Sequence, residues 1–381
     1  MKNKKLTFAE SLLLVAGAGM GTGMLTIPYA VSRIGLFGTL TALVAAYAVS
    51  ALLYLMIAEL TLNSKRSADL LGILDEHLFR GKGRAILRTL FFILLILLLL
   101  ENLVVYIRCA ANVLGELFGI PAVVSMVIFY VLASVVIFFG MKGMGIGEKI
   151  SVLLIGGVVL LLAVLTCFSP KAQVSLTFGA PATVFAVYGL FMFAFSAIFS
   201  VIQVCNHIDR PALAGKAVLG GLTLNAIMTL GFAVIAVIGS EAVTEIAIFG
   251  LADGIGIPAV KILCSVLVLL AMLTSFWSSG FAFADVVGET LKLSHRVSWF
   301  ISTLPALLLA VILPLSLLDF IQIGAGALSV ILVLVVLPAY THAVRAADKP
   351  LLGKPAQSKL LLGFVAAAIL LMAISSLIPI P

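Results

Sequence analysis

Long apolar stretches follow one another along the whole chain, and each is long enough to cross a lipid bilayer. A helix needs about 20 apolar residues to span roughly 30 Å of hydrocarbon. None of the stretches alternates with the period of two that a strand of a membrane barrel shows. The pattern therefore predicts eleven membrane-spanning helices, at residues 8–33, 37–62, 86–114, 121–140, 150–169, 182–206, 213–239, 257–283, 298–316, 319–341 and 359–379.

Composition agrees with this pattern. Hydrophobic residues make up 63% of the 381 positions and charged residues only 10%, whereas a soluble domain carries about 25% charged residues. The chain is therefore expected to be an all-α integral membrane protein, with lipid as one of its partners. The first apolar stretch lacks a small-x-small exit site, so we expect no cleaved signal peptide.

Basic residues predict the orientation, because cytoplasmic loops carry an excess of Lys and Arg. With the N-terminus placed inside, only Arg33, Arg108, Lys171 and Lys261 of the 23 basic residues lie outside, which leaves 23 − 4 = 19 inside. We therefore expect a cytoplasmic N-terminus and an external C-terminus. The net charge of +7 is then a topology signal, and no nucleic-acid partner is expected.

The four cysteines, Cys109, Cys167, Cys205 and Cys264, lie singly in four different spans. Their spacing predicts neither a disulfide framework nor a metal site. We accordingly expect no cofactor.

The first span contains an unusual stretch, GAGMGTGMLTIPYA, with four glycines in seven residues followed by Pro28. Glycine weakens a helix interior, and proline removes a backbone donor. One interpretation is a break between Ala16 and Met24 whose freed main-chain groups bind a ligand. The alternative is close helix packing on two faces, through the pairs Gly17 with Gly21 and Gly19 with Gly23.

The segment from Gly21 to Ala30, GTGMLTIPYA, resembles the Gly-x-Gly-x-Leu-x-x-Pro-Tyr-Ala signature of the amino acid/auxin permease family. The likeness is closest to its bacterial aromatic and hydroxy amino acid permease branch, within the amino acid-polyamine-organocation superfamily. Asp209-Arg210 followed by Gly215 to Val218, and the segment Leu273 to Lys292, are similar to later parts of that family.

This resemblance implies the five-plus-five inverted repeat of the bacterial leucine transporter, in one transporter domain over residues 1–381. Repeat one would cover 8–169, repeat two 182–341, and an extra helix 359–379. Spans 1 and 6 are both expected to be broken. Span 6, however, has no Gly or Pro from Leu190 to Cys205, and only Ser196, Ala197 and Ser200 are small near its centre.

The resemblance also implies a substrate site between these two spans. Ala18, Gly19, Gly21, Thr22 and Gly23 would contact the carboxylate and amine of an amino acid. Phe195, Ser196 and Ser200 would face it from span 6.

For the coupling ion, two alternatives stay open. Sodium-coupled relatives imply a site made by the hydroxyls of Thr274 and Ser275 with carbonyls near Ala16 and Gly19. Proton coupling would need a titratable group at depth, and Glu101 in span 3 is the candidate. Glu101 could instead form a structural pair with Arg108 or Asn102.

We therefore expect a secondary active transporter, and not an enzyme, that imports a small amino acid by sodium or proton symport through alternating access. The alternative is an amino acid sensor on the same fold that binds its ligand without net transport. A channel or an intramembrane enzyme is less compatible with the pattern. We expect a monomer in a bacterial inner membrane.

Overall fold

The computed structural model describes residues 5–64, 69–79, 81–168, 172–244, 247–313, 331–344, 352–353, 358–375, 377–378 and 380, without the side chains of 22–25, 142, 249 and 332. Regular structure in these ranges is helical. The α-helices are α1 Phe8–Leu62, α2 Leu70–His77, α3 Arg84–Phe118, α4 Ala122–Phe138, α5 Met141–Phe168, α6 Pro181–Ala194, α7 Ile198–His207, α8 Ala214–Gly239, α9 Ala247–Ile255, α10 Pro258–Leu291, α11 His295–Ile312, α12 Leu337–Val344 and α13 Lys359–Ser375.

Seven stretches of the described helices are long and apolar enough to cross a membrane, and four shorter apolar helices accompany them. Together they overlap all eleven predicted runs, although residues 319–330 of the tenth lie outside the described part. The all-helical membrane class is thereby confirmed. The number of spans stays a prediction.

The first two predicted spans are joined inside α1 at Gly35. Its φ of 69° leaves the helical region, and a Cβ there would meet the Thr177 carbonyl oxygen at 2.6 Å. Only glycine combines this backbone conformation with this close approach. The Leu36 N–H donates to the Ser175 carbonyl (2.7 Å) and the Gly179 N–H to the Ile34 carbonyl (2.9 Å), so the turn is fixed against the segment that precedes α6.

The backbone from Ala16 to Met24 is helical, as is the rest of the first span. The predicted break in span 1 is therefore wrong for this structure. The only non-helical backbone described within α1 is at Gly35. The described glycines of this stretch instead allow neighbouring helices to pack closely, which is the alternative that the sequence left open.

The predicted break in span 6 is confirmed, and the structure locates it. α6 ends at Ala194 and α7 begins at Ile198, so Phe195, Ser196 and Ala197 connect two half-helices. The first half of α1 lies at the centre of the fold, where the helix as a whole packs against α5, α6, α7, α8 and α10. The break and the glycine-rich stretch thus meet in the middle of the protein.

Candidate functional site

The break between α6 and α7 is held by a tyrosine from another part of the chain. The hydroxyl of Tyr54, in the second half of α1, donates to the Phe195 carbonyl. The same hydroxyl accepts from the Ala197 N–H at 2.9 Å. Tyr54 is 2% exposed, so one buried phenol satisfies two backbone groups that the interrupted helix leaves without helical partners.

An asparagine from α8 holds the end of α6. The Asn225 Nδ2 donates to the Ala194 carbonyl (3.1 Å), and its Oδ1 accepts from the Thr229 hydroxyl (3.0 Å). Gly19 of α1 lies directly against this pair, since a Cβ on it would overlap Asn225 Nδ2 and would stand 2.5 Å from the Ala194 carbonyl oxygen. Gly19 therefore allows α1 to approach the break.

A small cavity of about 30 Å³ lies at this meeting point. Pockets that hold drug-sized ligands measure roughly 300–1,000 Å³, so this cavity has room for about one water molecule. The structure is therefore closed around the site, and an amino acid requires the cavity to widen. Its walls are formed by Ala18, Gly19, Leu98, Asn102, Tyr106, Phe193, Ser196, Ala197, Ile198, Phe199, Ser275, Ser278 and Ser279.

The start of α7 supplies backbone donors to this cavity. Ala197, Ile198 and Phe199 line it, and no side chain caps the N-terminus of α7. The first N–H groups of a helix have no intrahelical partner and carry a partial positive charge. The arrangement suits a carboxylate.

Polar side chains occupy the opposite walls. Ser275 donates to the Ala18 carbonyl (3.0 Å), and the Ser278 hydroxyl lies 2.6 Å from that of Ser200. The Tyr106 hydroxyl lies 3.4 Å from Asn102 Oδ1. These oxygens could accept hydrogen bonds from an ammonium group.

The structure brings some of the predicted substrate residues to the cavity and not others. Ala18, Gly19 and Ser196 line it. Gly21 instead packs against α10, where a Cβ would overlap Ser275 Oγ. For Thr22 and Gly23, nothing beyond the helical backbone is described.

The two other predicted substrate residues of span 6, Phe195 and Ser200, are not among the residues that line the cavity. Phe195 is fully buried, with its ring centroid 5.9 Å from that of Phe191 and 6.5 Å from that of Tyr47. Ser200 reaches the cavity only through its contact with Ser278. The aromatic residues that line the cavity are Tyr106, Phe193 and Phe199.

The predicted cation residues meet α1 at neighbouring carbonyls. The Thr274 hydroxyl lies 3.1 Å from the Gly17 carbonyl oxygen and 2.9 Å from that of Ala271, and Ser275 contacts Ala18. These hydroxyls thus reach Gly17 and Ala18, whereas the expected carbonyls were those of Ala16 and Gly19. Ala16 is fully buried, and Gly19 faces the break.

Glu101 and Arg108 are not hydrogen bonded to each other. Both carboxylate oxygens of Glu101 are buried without a hydrogen-bond partner in the described part of the chain. Arg108 donates from Nε to the Ala310 carbonyl (2.8 Å) and from Nη2 to the Leu313 carbonyl, where it satisfies the end of α11. Asn102 donates to the Leu98 carbonyl (3.0 Å). Neither structural pairing that the sequence allowed is formed as a hydrogen bond.

Three residues at this site were missed by the sequence analysis. Tyr54 and Asn225 hold the break, but nothing in their local sequence indicates which backbone groups they reach. Glu148 lies fully buried in α5, and here a signal was present. It is the one acidic residue of a largely apolar helix, beside the more conspicuous Lys149.

Comparisons with known proteins agree with this geometry. Residues 4–378 match the family described as the tryptophan/tyrosine permease family, and no curated protein sequence matches the chain significantly. Among solved structures, MhsT in complex with L-phenylalanine aligns with a TM-score of 0.74 at 16% identity, over 96% of this chain and 98% of that one. Mhp1, a nucleobase-cation-symport-1 family transporter in a closed conformation with bromovinylhydantoin bound, aligns with a TM-score of 0.72 at 13% identity, over 98% of this chain and 91% of that one. The fold is therefore that of leucine transporter-like proteins.

Proposed function

We propose a function from one premise, which is that the chain belongs to the tryptophan/tyrosine permease family. It is an integral membrane transporter and not an enzyme. Its specific role, on our proposal, is import of an amino acid by cation symport through alternating access. Its place within the wider amino acid/auxin permease family is part of the same proposal.

One observation carries this proposal: the uncapped start of α7 and the hydroxyl-lined wall of α10 face each other across one closed cavity. The α7 N–H groups suit the substrate carboxylate. Asn102, Ser275 and Ser279 present oxygens to its ammonium group. A zwitterion thus matches both walls, whereas a ligand with a single charge would leave one wall unused.

The substrate side chain has apolar neighbours on the same cavity. Leu98, Phe193, Ile198 and Phe199 line it. Together with the family description, these residues make tryptophan, tyrosine and phenylalanine the first substrates to test. Small amino acids, which we expected from the sequence, form the second group.

The test is uptake of labelled amino acids by the purified protein in proteoliposomes. We expect accumulation of one group under an inward sodium gradient at matched pH or under a proton gradient without sodium. Accumulation under neither gradient, with the same amino acids still raising the unfolding temperature, would favour the sensor over the transporter.

A variant of the cavity wall connects uptake to the site. Ser279→Ala removes one hydroxyl from the cavity, and loss of a hydrogen bond to a charged ammonium group, about 1.5–3 kcal/mol, corresponds to a KM that is higher by a factor of about 10 to 150. Ser134→Ala is the matched control, because Ser134 is a buried serine of α4 that is not among the residues lining the cavity. Equal KM values for the two variants would contradict the assigned site.

A further inference from the structure

Another open cavity lies where the start of α3 meets the end of α10, at the ends that the basic residues place inside. Its volume is about 500 Å³, within the range of roughly 300–1,000 Å³ that is typical of ligand pockets. Lys82, Arg84 and Arg88 contribute to its walls, together with Thr89 and Thr290. The cavity therefore combines the size of a ligand site with a basic lining.

Positive charges outnumber negative ones around this basic cavity. Arg84 donates from Nε and Nη2 to the Asp75 carboxylate (2.8 and 2.6 Å). These hydrogen bonds, with a smaller contribution from the charge of Arg88, hold the pKa of Asp75 below its ordinary value. Glu289 of α10 is exposed and is not among the lining residues. Asp75 thus balances one of the three positive charges, and Lys82 and Arg88 form no salt bridge in the described part of the chain.

Arg88 also has a hydrogen-bond donor that the described residues do not use. Its Nε is buried and has no hydrogen-bond partner among them, which is unfavourable for a polar group. The start of α3 adds further donors, because no side chain in the described part of the chain caps it and Ala85 of its first turn lines the cavity. The first N–H groups of a helix attract anions.

Phosphate is the anion that this set of groups fits. Arginine and lysine side chains, threonine hydroxyls and the N–H groups of a helix start are the usual partners of phosphate oxygens. The planar guanidinium group matches two phosphate oxygens at once. The basic cavity presents every one of these groups within one space.

The basic cavity is continuous with a lipid-facing surface of α3. Thr89, Ile93, Ile96 and Leu100 follow one another at helical spacing and so share one face. Ile93 is 50% exposed, and Ile96 and Leu100 are half-buried. This face begins with Thr89 at the cavity and continues along the span as an apolar surface. A phosphate that is joined to acyl chains would occupy both parts, whereas free phosphate would leave the apolar face unused.

We propose that the basic cavity binds the phosphate of an anionic phospholipid of the inner leaflet, with an acyl chain along the face of Ile93, Ile96 and Leu100. Basic pockets on the cytoplasmic side of membrane helices are suited to acidic headgroups. The two unbalanced cations, Lys82 and Arg88, favour a headgroup with net negative charge over a zwitterionic one. The site is separate from the substrate cavity, and the proposal does not depend on transport.

The test is thermal unfolding of the purified full-length protein in detergent, with phosphatidylglycerol or phosphatidylcholine added at equal mole fractions. A ligand that binds the folded state raises its stability with concentration. We expect a saturable rise in unfolding temperature with phosphatidylglycerol and a much smaller rise with phosphatidylcholine. Lys82→Gln and Arg88→Gln should each raise the apparent dissociation constant of phosphatidylglycerol about tenfold, because each removes a charged donor to the phosphate.

Matched variants separate this site from general attraction between a basic surface and acidic lipid. Lys216→Gln removes an exposed basic residue of the inner side that does not line the cavity, and its response should equal that of the native chain. Should Arg88→Gln prove too unstable to purify, Lys82→Gln changes an exposed side chain and carries the test. Equal responses to the two lipids, no response in the native protein, an unchanged response in Lys82→Gln, or an equal loss in Lys216→Gln each overturn the proposal.

Soluble phosphates distinguish a lipid from a free ligand of the same chemistry. Inorganic phosphate and glycerol 3-phosphate, titrated at constant ionic strength without added lipid, should leave the unfolding temperature nearly unchanged. If either stabilises the native protein as much as phosphatidylglycerol does, and Lys82→Gln loses this effect, the cavity binds a soluble phosphate and the lipid proposal is rejected.

Discussion

At the residue scale, the glycine-rich stretch shows how one pattern fits two structures. Three glycines of this stretch face different neighbours: Gly17 faces α5 and α10, Gly19 faces the end of α6 and Asn225, and Gly21 faces Ser275. The sequence predicted a special role for this stretch. It could not decide between a break and close packing, because glycine permits both, and only the positions of the neighbouring helices decide.

A substitution at Gly21 tests the packing role. A Cβ there would stand 2.9 Å from Ser275 Cβ, and overpacking a close contact costs about 1–3 kcal/mol. We therefore expect Gly21→Ala to lower the unfolding temperature. Gly157→Ala in α5 is the control, because nothing lies within 4 Å of its Cβ position and alanine favours a helix by up to about 1 kcal/mol over glycine. A Gly21→Ala protein as stable as the Gly157→Ala protein would show that the contact is not tight.

At the element scale, the position of the break in span 6 depends on distant partners. The span has neither Gly nor Pro between Leu190 and Cys205, so local propensity gives no reason to unwind it. Tyr54 and Asn225 supply the hydrogen bonds that make an interruption after Ala194 stable. The family resemblance predicts that span 6 consists of two half-helices. The residues at which one ends and the other begins are determined by tertiary contacts.

Removal of the Tyr54 hydroxyl tests this account. Tyr54→Phe leaves the Phe195 carbonyl and the Ala197 N–H without this partner, and each unsatisfied buried group costs about 1–3 kcal/mol. We expect a lower unfolding temperature together with impaired amino acid binding, because Ala197 lines the cavity. Both quantities can be measured by thermal unfolding with and without substrate.

Tyr188→Phe is the matched control for that experiment. The Tyr188 hydroxyl donates to the Ala368 carbonyl of α13 (2.8 Å), so Tyr188→Phe also removes a buried tyrosine hydrogen bond, away from the break. We expect it to reduce stability without changing substrate affinity. Equal losses of affinity in the two variants would mean that the tyrosine at the break has no special part in binding.

At the scale of the whole molecule, contacts between helix ends and loops agree with the predicted topology, in which successive spans cross the membrane in alternating directions. Leu6 pairs with Ile208, Tyr340 donates to Glu59 (3.0 Å), and His295 lies 3.1 Å from the Ile137 carbonyl oxygen. Each of these pairs joins segments that the basic residues place on the inner side. The pairs on the outer side are Leu36 with Ser175, Ala172 with Ile238, and Glu116 with Lys261.

These contacts show which loops lie on the same side of the membrane. The basic residues alone predict which of the two sides is cytoplasmic. Alkaline phosphatase fused at Ile120 or after Pro381 should therefore be active in bacterial cells, because it folds only outside the cytoplasm. Fusions at Gly140 and Ser358 should be inactive there and should fluoresce when green fluorescent protein replaces the enzyme. The opposite activities at all four positions would be compatible with the same fold inserted in the membrane in the opposite orientation. A reversal only after Pro381 would instead mean an even number of spans, and the extra helix that follows the two repeats would not cross the membrane.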